Sequence, residues 1–301
     1  MKTFLTKTTL FALPILIALL IMEILLRRIP NDYSYKNDYL LQHADSIETL
    51  FMGSSHAYYG INPDYFPGNS FNASHISQSI DLDYKIISKF SDHFKSIKQI
   101  VVPIDYFTLF SRNSTGIESW RTKNYTIYYN LHTSIKPTDY FEIFAFRPKK
   151  NINRLSKYYL QKDNFITCSS KGYGNTEIAQ KDLIETGKSA STRHTLKNSN
   201  YLQESIEIID KIIAFSEEKN AFVLFYSSPC YSTYRENLDS IQYNTTLTTI
   251  DSICRNHSNT RYVNLMADTS FTASDFRDAD HLNPSGAKKM TLKIGEILAG
   301  H

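Results

Sequence analysis

From residue 49 onward, short apolar runs alternate with segments whose apolar residues recur three and four positions apart. The runs Thr49-Leu50-Phe51-Met52, Ser70-Phe71-Asn72, Gln99-Ile100-Val101-Val102-Pro103-Ile104, Ala221-Phe222-Val223-Leu224-Phe225 and Arg261-Tyr262-Val263-Asn264 predict five strands. Ile80, Tyr84, Ile87 and Phe90 mark a helix over 79–94, and Leu202, Ile206, Ile209 and Ile213 mark another over 201–215. Two further helices are expected over 238–254 and 285–298. Strands and helices in alternation predict an α/β domain built on a mainly parallel sheet.

The N-terminus follows a different pattern. Residues 8–22 carry no charge and are mostly Leu, Ile, Ala and Phe; Glu23 interrupts them, and Ile24-Leu25-Leu26 continue to Arg27-Arg28. Counted to Leu26, the stretch reaches the ~20 residues a bilayer needs. Counted to Met22, it suits the core of a signal peptide. No small-x-small cleavage site follows, so the expectation is an uncleaved anchor over residues 1–30, crossing the cytoplasmic membrane through 8–26. A buried helix of the folded domain is the competing reading. Lys2 and Lys7 flank one end and Arg27, Arg28 and Lys36 the other, so charge leaves the orientation open. Glu23 is expected at the interface rather than as a functional intramembrane acid. Pro30-Asn31-Asp32-Tyr33 reads as a short polar break before a domain spanning 31–301.

Residues 110–198 show no clear strand alternation and read as a partly helical insertion capping the active-site face. Trp120, Tyr125, Tyr128, Tyr129, Tyr140, Phe141, Phe144 and Phe146 crowd its first half. Such aromatics can stack on sugar rings, or they can pack a core.

Composition narrows the function classes. The residues behind the anchor, about 270, suffice for one large domain with a substantial core. The net charge of +3, from 33 basic and 30 acidic residues, gives no footprint for nucleic acid. Cys168, Cys230 and Cys254 form no metal pattern and allow at most one disulfide. No His/Cys cluster has metal spacing and no glycine-rich loop suits a nucleotide, so neither metal nor cofactor is expected.

Two fragments carry candidate chemistry. Gly53-Ser54-Ser55-His56 follows the first predicted strand, and Asp278-Ala279-Asp280-His281 precedes the last predicted helix. Ligands of parallel α/β sheets bind at the carboxyl ends of strands, where Ser55 would sit. A serine hydroxyl needs a base to become a nucleophile, and His281 is the candidate. Asp278 can curl back to the imidazole Nδ1–H and fix its tautomer. Free N–H groups near Ser55 can stabilise a developing oxyanion. Taken singly, the serines read as a turn or helix cap and the Asp and His as a polar capping loop; their joint placement favours a Ser-His-Asp triad. His56 and His75 are expected to be hydrogen-bonded structural residues, and Asp280 to point away from His281. Asp105, at a strand end, can line the site or cap the next segment.

These blocks resemble those of the SGNH (GDSL-like) hydrolases over most of residues 48–299. Gly53-Ser54-Ser55 resembles their first block, with Ser54 where Asp is usual. Asp278-Ala279-Asp280-His281-Leu282-Asn283 followed by Gly286 resembles their fifth. With the N-terminal helix and Ser227-Ser228-Pro229, the pattern is most similar to a membrane-anchored branch associated with O-acylation of cell-envelope polysaccharides. The resemblance implies a three-layer α/β sandwich and a domain outside the cytoplasmic membrane. It also implies work beside a membrane-bound O-acyltransferase. The family's second-block glycine and third-block asparagine, which complete the oxyanion hole, are not matched. Asn72-Ala73-Ser74 or Ser77 occupies the second region and Pro103-Ile104-Asp105 the third. Ser54, Asn72, Ser77 and Asp105 are therefore the candidates around the oxyanion and substrate.

Two functions follow as expectations. The first is a serine esterase or O-acyltransferase handling acyl groups, acetyl above all, on an envelope glycan or its acyl donor. The second is a catalytically weak or inactive partner that binds glycan or docks on a membrane acyltransferase.

Overall fold

The computed structural model describes residues 1–174, 179–197 and 199–300. In chain order the elements are α1 (Lys2–Arg27), α2 (Asp32–His43), β1 (Thr49–Phe51), α3 (Ser55–Gly60), β2 (Ser70–Asn72), α4 (Ile80–Lys89), β3 (Gln99–Pro103), α5 (Thr122–Tyr128) and α6 (Pro148–Leu155). They continue with α7 (Leu183–His194), α8 (Leu202–Glu218), β4 (Phe222–Ser227), α9 (Ser232–Arg235), α10 (Ser240–Arg255), β5 (Thr260–Asn264), β6 (Phe276–Asp278), β7 (His281–Leu282) and α11 (Pro284–Ala299). The chain forms two compact units, one from residues 1–37 and 119–167, the other from 38–118 and 168–301. Within the predicted insertion, residues 175–178 and 198 lie outside the described residues.

The larger unit is an α/β sandwich. Its five strands are all parallel in the order β2-β1-β3-β4-β5. Because side chains alternate across a strand, each face of the sheet is apolar. Phe51, Val101, Leu224 and Tyr226 join Phe276, Met290 and Ile294 in one buried cluster. Leu50, Ile100, Val102, Val223 and Phe225 alternate with those strand residues and are equally buried. α3 packs with α11, and α4 packs with α8. Strand order reverses beside β1, since the chain goes from β1 to β2 on one side and returns to β3 on the other. This is where an open parallel sheet offers a crevice, and Ser55 opens the helix that follows β1.

The smaller unit combines the N-terminal helix with the first half of the predicted insertion. α1 is one helix through Pro14, long and apolar enough to cross a membrane. Residues 30–33 are not merely a polar break, because α2 begins at Asp32; the Asn31 side chain accepts from the N–H groups of Tyr33 and Ser34, as an N-cap does. The crowded aromatics pack on one another. Tyr33 meets Tyr125 edge-on at 5.2 Å, Tyr125 stacks on Tyr129 at 5.9 Å, and Trp120 lies 6.0 Å from Phe146. Buried Glu142 accepts from the Tyr128 hydroxyl (2.9 Å) and Arg154 (2.8 Å), with Lys123 at 3.5 Å. Cys230 and Cys254 are free thiols.

Gly53 makes the exit from β1 possible. Its φ of 116° lies in the left-handed region, and a Cβ there would come within 2.3 Å of Pro103 Cγ. Gly53→Ala should therefore cost well over ~1 kcal/mol, read as a lowered denaturant midpoint. An unchanged midpoint would mean that the turn relaxes freely.

Candidate functional site

Three sequence-distant segments meet at the C-terminal end of β1. Ser54 caps α3 from its N-cap position, its Oγ accepting from the His56 N–H at 3.4 Å, and so turns Ser55 into the first helical turn. The first N–H groups of a helix have no intrahelical acceptor, so the Ser55 amide has none within α3. The tight β6–β7 hairpin pairs Asp278 with His281 through a bulge. There Asp278 Oδ1 accepts both the His281 backbone N–H (2.9 Å) and, at 2.8 Å, the ring Nδ1–H. With Nδ1 committed to the carboxylate, Nε2 accepts the Ser55 hydroxyl at 2.8 Å. Folding thus joins residues 226 positions apart in a Ser55–His281–Asp278 chain.

The residues after His281 explain the rest of that block. Asn283 caps α11 by accepting from Gly286 N–H at 3.0 Å, with Pro284 in the first turn. Gly286 must lack a side chain because a Cβ would fall 2.2 Å from the Asp275 carbonyl. The local sequence is built to present His281 from a rigid hairpin.

The oxyanion and substrate candidates divide. Ser54, Ser55, Ser77 and His281 line one pocket of about 880 Å³. Ser77 holds a left-handed φ of 59°, unusual for serine, while its carbonyl accepts the Asn113 amide at 2.8 Å. Asn72 does not reach the pocket. Its NH₂ donates to the Ala57 (2.9 Å) and Ile61 (2.8 Å) carbonyls, and its Oδ1 accepts the N–H and hydroxyl of Ser74. It is a fully buried brace between β2 and α3.

Asp105 neither lines the pocket nor caps a helix. Its Oδ2 lies 2.9 Å from His56 Nδ1, and its Oδ1 accepts the Ser228 N–H at 2.8 Å. On the other side of His56, Nε2 lies 3.4 Å from Asp280 Oδ2. Asp280 was expected to turn away from His281, and it does not: the compressed hairpin leaves its Oδ1 3.5 Å from His281 Nδ1. His281 therefore faces two carboxylates, and the second is held by a buried imidazole. Burial alone would depress the His56 pKa, but Asp105 and Asp280 outweigh it and raise it to about 10. The His281 and His56 imidazoles beside it hold Asp280 well below the usual carboxylate range despite its burial. The partner of His56 was missed in the sequence because a DxDH segment offers two aspartates and no cue to which faces where.

Two further groups shape the pocket. Burial pushes the His194 pKa down to about 3, so this lining residue is a neutral imidazole, its Nδ1 2.9 Å from the Tyr234 hydroxyl. Arg277 lies 3.7 Å over the Tyr59 ring and 3.6 Å from Asp278 Oδ2. Ligand atoms of His56, Asp280 and His281 lie within 4.8 Å of one another. Each of these three is already engaged, His56 by Asp105 and Asp280 and His281 by Asp278 and Ser55.

Behind the Ser55 turn, Asp83 Oδ1 accepts the Gly53 N–H (2.9 Å) and the Gln78 amide (2.6 Å). Burial raises the Asp83 pKa to about 7. Its neutral form thus adds stability below the ordinary carboxylate value, and that contribution is lost as pH rises through about 7. Asp83→Asn keeps an acceptor for both donors and should raise the melting temperature at pH 8 while changing little at pH 4. An equal effect at both pH values would place the Asp83 ionisation elsewhere. His56→Leu leaves two buried aspartates facing each other and should destabilise by about 3–5 kcal/mol at pH 7; loss under 1 kcal/mol in urea titration would show that the pair relaxes or protonates cheaply.

No family model matches the sequence, and no curated protein matches it. Among solved structures, a protein from Streptococcus pneumonia named for platelet activating factor aligns with 96% of this chain and 98% of its own. The alignment has 9% identity and a TM-score of 0.44.

Proposed function

We propose that the protein is a membrane-anchored SGNH-type serine esterase or O-acyltransferase acting on acyl groups of a cell-envelope polysaccharide. The observation that carries the reading is the Ser55–His281–Asp278 chain, with both hydrogen bonds at 2.8 Å, opening on one pocket. In this reading Ser55 Oγ attacks the acyl carbonyl as His281 Nε2 takes its proton. The imidazolium so formed is stabilised by Asp278, with Asp280 as a second carboxylate. The N–H groups of Ser55 and Ser77 receive the oxyanion. His281 then gives its proton to the leaving oxygen, which departs and leaves an acyl-Ser55. A sugar hydroxyl or water, deprotonated by the same Nε2, attacks that ester and restores the serine. The helix α1 anchors the domain on the outer side of the cytoplasmic membrane, beside a membrane-bound O-acyltransferase.

One observation favours the second reading, an accessory glycan-binding partner. Asn72 and Asp105 are both consumed by scaffold bonds, so no side-chain amide from the expected positions serves an oxyanion. Loss of one such donor costs about 10²–10³ in turnover.

Ser55→Ala and His281→Ala should each lower turnover of an activated acyl ester by about 10⁴-fold or more, and the double variant should be little worse than either. Asp278→Asn should also reduce it strongly, by favouring the wrong imidazole tautomer. Intact-mass measurement of the wild type after exposure to an acyl donor should show one added acyl group, absent in Ser55→Ala. Full glycan acylation in cells carrying Ser55→Ala would sink the enzymatic reading and leave the accessory one.

A further inference from the structure

The last turn of α1 differs from the rest of the helix. Up to Met22 the helix is largely exposed; from Glu23 it is built into its own unit, with Glu23 and Leu26 buried. The Glu23 carboxylate accepts the backbone N–H groups of Glu142 (3.0 Å) and Ile143 (2.8 Å) and the Arg27 guanidinium (2.5 Å). Arg27 also donates to the Tyr140 carbonyl. The Tyr159 hydroxyl donates to the Leu25 carbonyl at 3.0 Å. Residues 140–143 are thus fixed beside the last turn of α1.

Helix length sets the depth of that turn. From Lys7 to Arg27 the helix rises about 30 Å at 1.5 Å per residue, the thickness of a bilayer's hydrocarbon core. The uncharged stretch between Lys7 and Glu23 covers only about 24 Å. If Lys7 and Arg27 mark the two faces, Glu23 sits about 6 Å inside one of them. The segment hydrogen-bonded to Glu23 must lie at the same depth. That segment carries exposed aromatics on either side of its two bonded amides: Phe141 is 44% and Phe144 63% exposed. Just beyond, Arg147, Lys149 and Lys150 are exposed. Residues 119–167 hold nine Lys and Arg against three Asp and Glu. Aromatics at the interface and cations over anionic headgroups are the pattern of a surface that rests on lipid.

We propose that the unit formed with residues 119–167 is a membrane foot. Its Phe141–Phe144 edge sinks into the interfacial layer of the bilayer that α1 crosses, and Arg147, Lys149 and Lys150 rest on anionic phospholipid headgroups. The proposal depends on α1 spanning the membrane. It does not depend on the chemistry at Ser55.

Trp120 is the single tryptophan, so one replacement clears the background. The full chain with Trp120→Phe and Phe144→Trp is reconstituted into vesicles of phosphatidylcholine and phosphatidylglycerol. A second reporter, Phe141→Trp in the same background, guards against a local folding defect. Alkaline carbonate first tests whether α1 keeps the chain in the vesicles. The expected fluorescence is blue-shifted and quenched at least twofold by phospholipid brominated near the headgroup end of its acyl chains, and little affected by iodide. Arg147→Glu with Lys149→Glu and Lys150→Glu should weaken the bromine quenching, as should omission of phosphatidylglycerol. Iodide-accessible reporters in a carbonate-resistant chain overturn the foot and leave the anchor standing. Reporters shielded from both quenchers overturn it too, because protein rather than lipid then covers the edge. Extraction by carbonate removes the anchor and the foot together.

Discussion

A buried imidazole between two aspartates organises the larger unit. His56 leaves the first turn of α3, Asp105 leaves the end of β3, and Asp280 sits in the β6–β7 hairpin. Their contacts, 2.9 Å on one side and 3.4 Å on the other, tie three segments that share no sequence neighbourhood. Because the hairpin is held through Asp280, His281 arrives over Ser55 rather than in solvent. The arrangement is electrostatically demanding. Either aspartate without the imidazolium is a buried charge with a large desolvation cost, and the imidazolium without both is scarcely better. The site is therefore preorganised by charges that do not themselves touch the pocket.

Much of the larger unit was legible in the sequence. Its five strands form near the predicted positions; β1 to β4 are short runs buried on both faces, as a parallel sheet requires, while the edge strand β5 is partly exposed. The pairing of Ser55 with His281 was legible for another reason, since strand-end positions in such a sheet converge. Asn72 and Asp105 were harder. A short polar residue after a strand looks the same whether it serves a ligand or braces the next loop. Only the folded distances show that Asn72 spends its amide on Ala57 and Ile61. Ser77 carries a backbone signal, positive φ, that composition does not reveal.

The insertion shows where periodicity stops helping. Residues 119–167 contain no strand, two α-helices of seven and eight residues, and several single turns of 3-10 or π-type geometry. Segments that short leave too few turns for a 3.6-residue pattern to emerge. Their order comes from contacts made elsewhere in the chain: Tyr33 on Tyr125, and Glu23 on Glu142 and Ile143. The aromatic crowding and the option of a packed core were visible in the sequence; which rings pair, and that Phe141 and Phe144 stay exposed, was not.

The bond from Glu142 to Glu23 spans 119 positions, and this fixes an order of events during synthesis. At about 5–20 residues per second, the residues that cap Glu23 emerge roughly 6–24 s after it. Through that interval the carboxylate has only Arg27, one turn away, for company. The end of α1 is thus among the last parts of its unit to be completed. Any factor that receives the nascent α1 meets an acid its finished form conceals.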